Sequence, residues 1–182
     1  GTITEGPEVT KTVLPAVVLD KNRYATMVDN YAKLPMMQIT YPSVPNYHPD
    51  EAALDCLAEI LGQGKNSIIY KNFVKSQKAV NAGVSNPCSE LAGEFNITVV
   101  PYPGKKLSEY EQLVDEALKE FEQRGVTDED VEKFRNSMEA NLVNSLESVS
   151  GKVSSLAAFY TFTRDANRIG KELERYSKVT KA

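Results

Sequence analysis

Apolar positions along the chain change their period several times, and each change marks an element. In the stretch Leu34–Tyr41, Met37, Ile39 and Tyr41 alternate with Met36, Gln38 and Thr40, the two-residue period of a sheet strand. A shorter strand is predicted at Ala25–Val28, with Asp29-Asn30 near the reversal between the two. Pro42, Pro45 and Pro49 punctuate the following loop. The period then lengthens. Ala53, Leu54, Leu57, Ile60 and Leu61 make one face of a helix beginning at Pro49, with Asp50 and Glu51 complementing its N-terminal dipole and Gly62 and Gly64 ending it. Ile69, Tyr70, Phe73 and Val74 predict a shorter helix over Ser67–Gln77.

Alternation returns in Val80, Ala82 and Val84 and again in Phe95, Ile97 and Val99, predicting a hairpin around an Asn86–Ala92 loop. From Leu107 the chain reads as helical. Tyr110, Leu113, Val114, Ala117, Leu118 and Phe121 form one stripe, closed by Gly125. Thr127 is a good N-cap with Asp130 in the reciprocal place, and Val131, Phe134, Met138, Leu142, Leu146 and Val149 continue the three-four spacing. The Ser148–Gly151 region predicts a break before Leu156, Phe159 and Tyr160. A last amphipathic piece covers Lys171–Tyr176, and Val179-Thr180 reads as the approach to a further helix cut short at Ala182. Residues 1–20, with Pro7 and Pro15, read as a linker, leaving 21–182 as one domain truncated at its C-terminus. Strands followed by helices predict an α+β fold of two layers, a mainly antiparallel sheet with helices packed on one face.

The overall charge, −4, argues against a general nucleic-acid binder, which carries a basic excess. No apolar run is long enough to span a membrane. Cys56 and Cys88 form no metal or redox motif and read as a core residue and a loop residue. The single histidine, His48, has no second histidine to join it in a zinc site and no evident nucleophile to activate. Gly62-Gln63-Gly64-Lys65-Asn66-Ser67 approximates a phosphate loop, but Glu59 stands in the first glycine's place and a helix precedes it, so a helix end and turn is the better reading. Lys65, Lys71, Lys75 and Lys78 lie in a stretch, Gly62–Ser89, without Asp or Glu. The spacing of the last three puts them on one helical face, either solvated or turned to a partner. Asn96-Ile97-Thr98 matches a glycosylation pattern in mid-strand, where chance explains it better. Glu90/Glu94 and Asp128–Asp130 read as a loop rim and a helix N-terminus.

Six segments, in order, carry a resemblance: Leu34–Pro42, His48–Leu54, Ile60–Lys71, Val74–Ala79, Glu90–Phe95 and Gly125–Glu132. Together they resemble the second, non-catalytic type of domain in pitrilysin/insulinase-family zinc metallopeptidases, closest to the first such domain of long bacterial members. The family's inverted H-x-x-E-H zinc motif is absent here. The resemblance therefore implies no catalytic or metal residue in this chain, with zinc on another domain of the parent. Some such domains supply a substrate-binding Arg and Tyr, but those places hold Val74 and Asn81. That implies a domain adjoining the catalytic one rather than the distal domain completing the active site.

The implied role is structural: a wall of a peptide-enclosing chamber, packed on the zinc domain, with the parent's other domains and its peptide substrate as partners. Lys71, Lys75 and Lys78 are the partner-facing candidates. A peptide-binding or assembly module of a parent that has lost protease activity is the alternative, and an unrelated α+β domain with its own small-molecule site is a third reading. The resemblance to bacterial envelope peptidases implies a periplasmic setting. A domain taken from its neighbours is also expected to expose a large apolar patch, through which it can dimerise.

Overall fold

The computed structural model describes residues 6, 7, 9, 10, 15, 18 and 20–181, so most of the predicted linker lies outside the described residues. Three strands, β1 (Met37–Ser43), β2 (Ala79–Ser85) and β3 (Gly93–Pro101), form an antiparallel sheet in the order β1-β3-β2. Ile39, Ile97 and Val84 lie abreast across it, as do Met37, Val99 and Ala82. These rows face the helices. The opposite face carries Gln38, Thr40, Glu94, Thr98 and Ser85 and is turned to solvent.

Two predictions for the strands need correction. Ala25–Val28 is not a strand. The segment has no ladder partner among the described residues, and Tyr24, Met27 and Val28 stand 86–91% exposed. In β2 the register shifts between Ala79 and Asn81, which turns Val80 outward and leaves Ala79, Ala82 and Val84 as the buried set.

The helices are α1 (Glu51–Gly62), α2 (Leu107–Arg124), α3 (Asp128–Ser145), α4 (Val149–Thr163) and α5 (Ile169–Ser177). Between α1 and β2 the predicted helix winds more widely over Tyr70–Lys75, with the Lys78 N–H reaching back five residues to the Phe73 carbonyl. Phe73 and Ile69 are thereby sunk into the main core with Ala58, Leu61, Ile97, Val99, Tyr110 and Val114. Full burial of each large side chain there is worth about 1.5–3 kcal/mol.

A second, smaller core joins Ala52 and Cys56 to Val131, Phe134 and Val179. Thus α1 is buried on two sides, the sheet side and the α3–α5 side, rather than along the single stripe predicted, and Ala53 is exposed. Its last residue, Gly62, lies so close to β2 that a Cβ would sit 2.2 Å from the Val84 nitrogen. Glycine is required here for close approach, in addition to its turn-forming role. Val179 is not the approach to another helix but a buried residue of the second core, its carbonyl accepting from the Arg135 guanidinium. The break between α3 and α4 falls over Leu146–Ser148, slightly earlier than predicted. Among the described residues no helix is long and apolar enough to cross a membrane.

The turn into α3 is built as the sequence predicts. Thr127 Oγ1 accepts from the Asp130 N–H at 3.1 Å, and Asp130 Oδ2 accepts from the Thr127 N–H at 3.0 Å and from Arg124 at 2.9 Å. Burial pushes the Asp130 carboxyl upward, but the Thr127 bonds and the Arg124 charge outweigh it and hold the group below the usual range. A carboxylate depressed in the folded state contributes stability above its unfolded pKa of about 3.9 and loses it as pH falls through the folded value. Urea unfolding at neutral and acid pH should therefore show Asp130→Asn destabilising the domain near pH 7 and converging on the parent in acid. Thr127→Ala should cost about 1 kcal/mol at neutral pH. An unchanged acid limb in Asp130→Asn would contradict the assignment.

Candidate interaction surface

Proline-bounded residues 42–49 carry Tyr47 in a left-handed conformation, φ 63°, unusual for a residue with a side chain. The surroundings explain what holds it. Its N–H donates to Glu51 Oε2 at 2.5 Å, at the start of α1. Its ring lies under two guanidinium groups of the C-terminal region, Arg168 at 4.7 Å and Arg175 at 5.6 Å. It meets Phe159 of α4 edge-on and Phe162 at a tilt, at centroid distances of 6.4 and 6.1 Å. One aromatic ring therefore joins α1, α4 and α5.

The charges around it are paired. Arg175 donates to Glu51 and, at 2.6 Å, to Glu172, while Arg168 donates to the other oxygen of Glu172 at 2.6 Å. Tyr176 donates to Asp55 on α1 at 2.9 Å, and Asp55 also accepts from Asn86 in the β2–β3 loop at 2.9 Å. Burial works against the Arg175 cation, but the bond to Glu51 and the neighbouring negative groups outweigh it, so its affinity for the proton is raised. Burial first, then Glu172 and Glu51, pushes the Tyr47 phenol up and keeps it protonated. Glu51 and Glu172 are paired with Arg168 and Arg175, the Asp55 carboxylate is held by two neutral donors, and the cluster acts as a clamp.

What the clamp fixes in place is α4. Phe159, at 7% exposed, and Phe162 face inward. Val149, Val153, Leu156 and Tyr160, at intervals of four, three and four residues, form the opposite face and are 50–77% exposed. A helix apolar on both faces is ordinarily buried on both. The N-terminus of α4 is locked by Gly151, whose N–H donates to Ser148 Oγ at 2.9 Å and whose missing Cβ would stand 1.8 Å from the Ser145 carbonyl oxygen. Beside α4, the cleft between α3 and α5 holds an apolar groove of about 290 Å³ lined by Met138, Leu142, Phe159, Leu173 and Tyr176.

Among the described residues no three His, Cys, Asp or Glu side chains are grouped to hold a metal ion, so the residues present do not fit zinc. His48 accepts a hydrogen bond from the Asp50 N–H at 3.2 Å, at the approach to α1. Burial pushes both thiols, Cys56 in the second core and Cys88 in the β2–β3 loop, up to about 11, the direction that lowers the thiolate fraction. The phosphate-loop-like run is the end of α1 and a turn, with Gly64 at φ 76°.

Other predicted positions separate. Val74 packs half-buried against the main core, whereas Asn81 is exposed on β2. Lys71 and Lys75 are exposed on the widened helical turn. Lys78 lies beyond it, past Gln77 at φ 57°, and so does not share their helical face. Asn96 is buried under the polar sheet face, accepting from Thr40 at 2.6 Å and Gln38 at 3.1 Å and donating to Glu94, which leaves it unsuited to modification. Glu90 and Glu94 are exposed on the loop and at the start of β3, and Asp128–Asp130 open α3.

The clamp residues Tyr47, Glu51, Arg168, Glu172 and Arg175 were missed as a group. The spacing of Arg168, Glu172 and Arg175 on one face of α5 was a readable signal, but Glu51 lies 124 positions away and nothing local ties the two ends.

Fold and surface together define an α+β domain with one helix left half-covered. The family model described as the peptidase M16 inactive domain matches residues 2–138, most of the chain. The chain belongs to that family, whose proteases bind zinc on another of their domains. It is similar to the zinc protease PqqE of Helicobacter pylori, 26% identical over 120 residues, covering 65% of this chain and 27% of the relative. A solved protease from Helicobacter pylori superposes with a TM-score of 0.72 at 22% identity, covering 84% of this chain and 37% of that one. An inactive peptidase domain from Bordetella parapertussis gives a TM-score of 0.71 at 14% identity, covering 86% and 85%. The chain thus spans about a quarter of the curated relative's length and 85% of the solved inactive domain.

The clamp makes a direct stability test possible. Arg175→Ala leaves Glu51 buried without its cationic partner and Glu172 with Arg168 alone, and loss of about 3–5 kcal/mol is expected in urea unfolding. Replacing both partners, Glu51→Gln with Arg175→Met, should recover part of it. A single variant as stable as the parent would show that the clamp does not hold α5.

Proposed function

We propose that this chain is a structural part of a zinc metalloendopeptidase, helping to wall the chamber that encloses the peptide and packing on the zinc-bearing domain. The observation that carries the reading is α4, rigidly held yet apolar on its outer face from Val149 to Tyr160. Desolvating such a face against a neighbouring domain is favourable at about 25 cal/mol per Å² of apolar surface. Membership of the inactive-domain family and the small share of the multidomain relative covered support a neighbour in the same parent chain.

The two sides of the domain suit different surroundings. The polar sheet face, with Gln38, Thr40, Asn96 and Glu94 already hydrogen-bonded to one another, is fit to line a water-filled space. The α4 side is fit to be covered. Half-buried Val74, in the place of the family's substrate-binding Arg, supports a domain that adjoins the catalytic one rather than completing its site.

Peptidase assays with zinc, run on the parent protein and on this chain alone, test the proposal. Cleavage by the parent and none by the chain is the expected pair of results. Zinc-dependent cleavage by the chain alone would overturn it, and a well-folded parent inactive with zinc would favour a peptide-binding or assembly module instead.

A further inference from the structure

The groove between α3 and α5 differs from the outer face of α4 in holding a charge beside its apolar walls. Met138, Leu142, Phe159, Leu173 and the ring of Tyr176 supply those walls. Two lining hydroxyls are engaged elsewhere: Tyr176 donates to Asp55, and Ser177 donates to the Glu174 carbonyl. Arg135, the first of the α3 residues along the groove, is the exception. It is half-buried, and its guanidinium makes one hydrogen bond among the described residues, to the Val179 carbonyl. Its Nε is shut off from water and has no partner.

Nor is Arg135 ion-paired with any carboxylate among the described residues. Two acids line the same groove. Glu172 is already held by Arg168 and Arg175, and Glu139, one turn further along α3, is exposed on the rim. A guanidinium carries five N–H donors, so most of this one's donor capacity is unused. Such a group beside an apolar wall is suited to a carboxylate that ends an apolar chain, because the charge-assisted bond is strongest where water is excluded. The space has a matching size. At about 30 Å³ for each water-sized group, about 290 Å³ takes a chain of about ten carbons.

We propose that this groove binds a fatty-acid anion of about ten carbons, its chain laid along the apolar walls between α3 and α5 and its carboxylate on the Arg135 guanidinium. The site is distinct from the docking face of α4, which contributes Phe159 to the groove from its inner side and turns Val149, Val153, Leu156 and Tyr160 the other way. It therefore does not rest on the chamber-wall reading. A ligand here touches both α3 and α5, so it adds a second link to the helix that the clamp seats.

Isothermal titration of the whole chain with decanoate and with 1-decanol tests the proposal. Decanoate should bind at least about tenfold more tightly than the alcohol, the margin of one charge-assisted hydrogen bond. Arg135→Gln should bring the two to equal affinity. Leu173→Glu, which sets a carboxylate against the bound chain, should abolish decanoate binding at ~1 mM. Leu173 is 38% exposed, so circular dichroism should show that variant folded. Equal affinity of acid and alcohol, no binding of decanoate at ~1 mM, or binding retained by folded Leu173→Glu would overturn the site. If Arg135→Gln does not fold, the acid–alcohol margin and Leu173→Glu decide the question without it. Peptidase activity of the parent is a separate readout, so the groove can fail as a lipid site while the structural role stands.

Discussion

The Glu51–Arg175 ion pair and the Tyr47 ring stacked beside it are the contacts on which the arrangement of this domain most depends. Glu51 opens α1, the helix buried against the sheet on one side and against α3 and α5 on the other. Arg175 belongs to the last helix. Their union closes the chain on itself across 124 positions, and Tyr47, beneath Arg168 and Arg175, links the closure to α4 through Phe159 and Phe162. A buried ion pair contributes little net stability compared with apolar packing, because desolvating two charges offsets most of their attraction. Its value lies in specificity. Opposite charges and hydrogen bonds admit one seating of α5 on α1, whereas an apolar contact would tolerate several.

Fixing α4 has a chemical consequence. A helix free to move could turn its outer valines and leucine toward the core, but Phe159 and Phe162 are pinned at the clamp and Gly151 is wedged against the end of α3. The outer face therefore stays outside. An exposed apolar stripe held in this way suits docking, and the polar sheet face on the far side needs no cover. This asymmetry suits a domain that contributes shape to an enzyme and leaves the chemistry to a neighbour.

Much of the fold was legible in the sequence because it is written locally. The strand at Met37–Ser43, the β2–β3 hairpin, and the Thr127–Asp130 cap each follow from a period or a cap that lies within a few residues. The errors share one cause, dependence on distant partners. Ala25–Val28 reads as a strand but meets no ladder among the described residues, and Val80 looks buried until the bulge at β2 turns it out. The double burial of α1 was hidden because its second side is covered by α3 and α5, far along the chain. For the site, a lone His48 and the lack of the inverted zinc motif could be read directly. The α3–α5 groove could not, since Arg135, Met138 and Leu142 meet Leu173 and Tyr176 only where the two helices pack.

The central claim is that the outer face of α4 is covered by another domain in the parent protein. Hydroxyl-radical footprinting of Tyr160 and Leu156, 54% and 50% exposed in this chain, measures that cover directly. Strong oxidation of both side chains in the isolated domain and protection of both in the intact parent is the result the account predicts. Equal oxidation in the two would mean that α4 faces solvent in the whole protein, and the docking role assigned to it would be wrong.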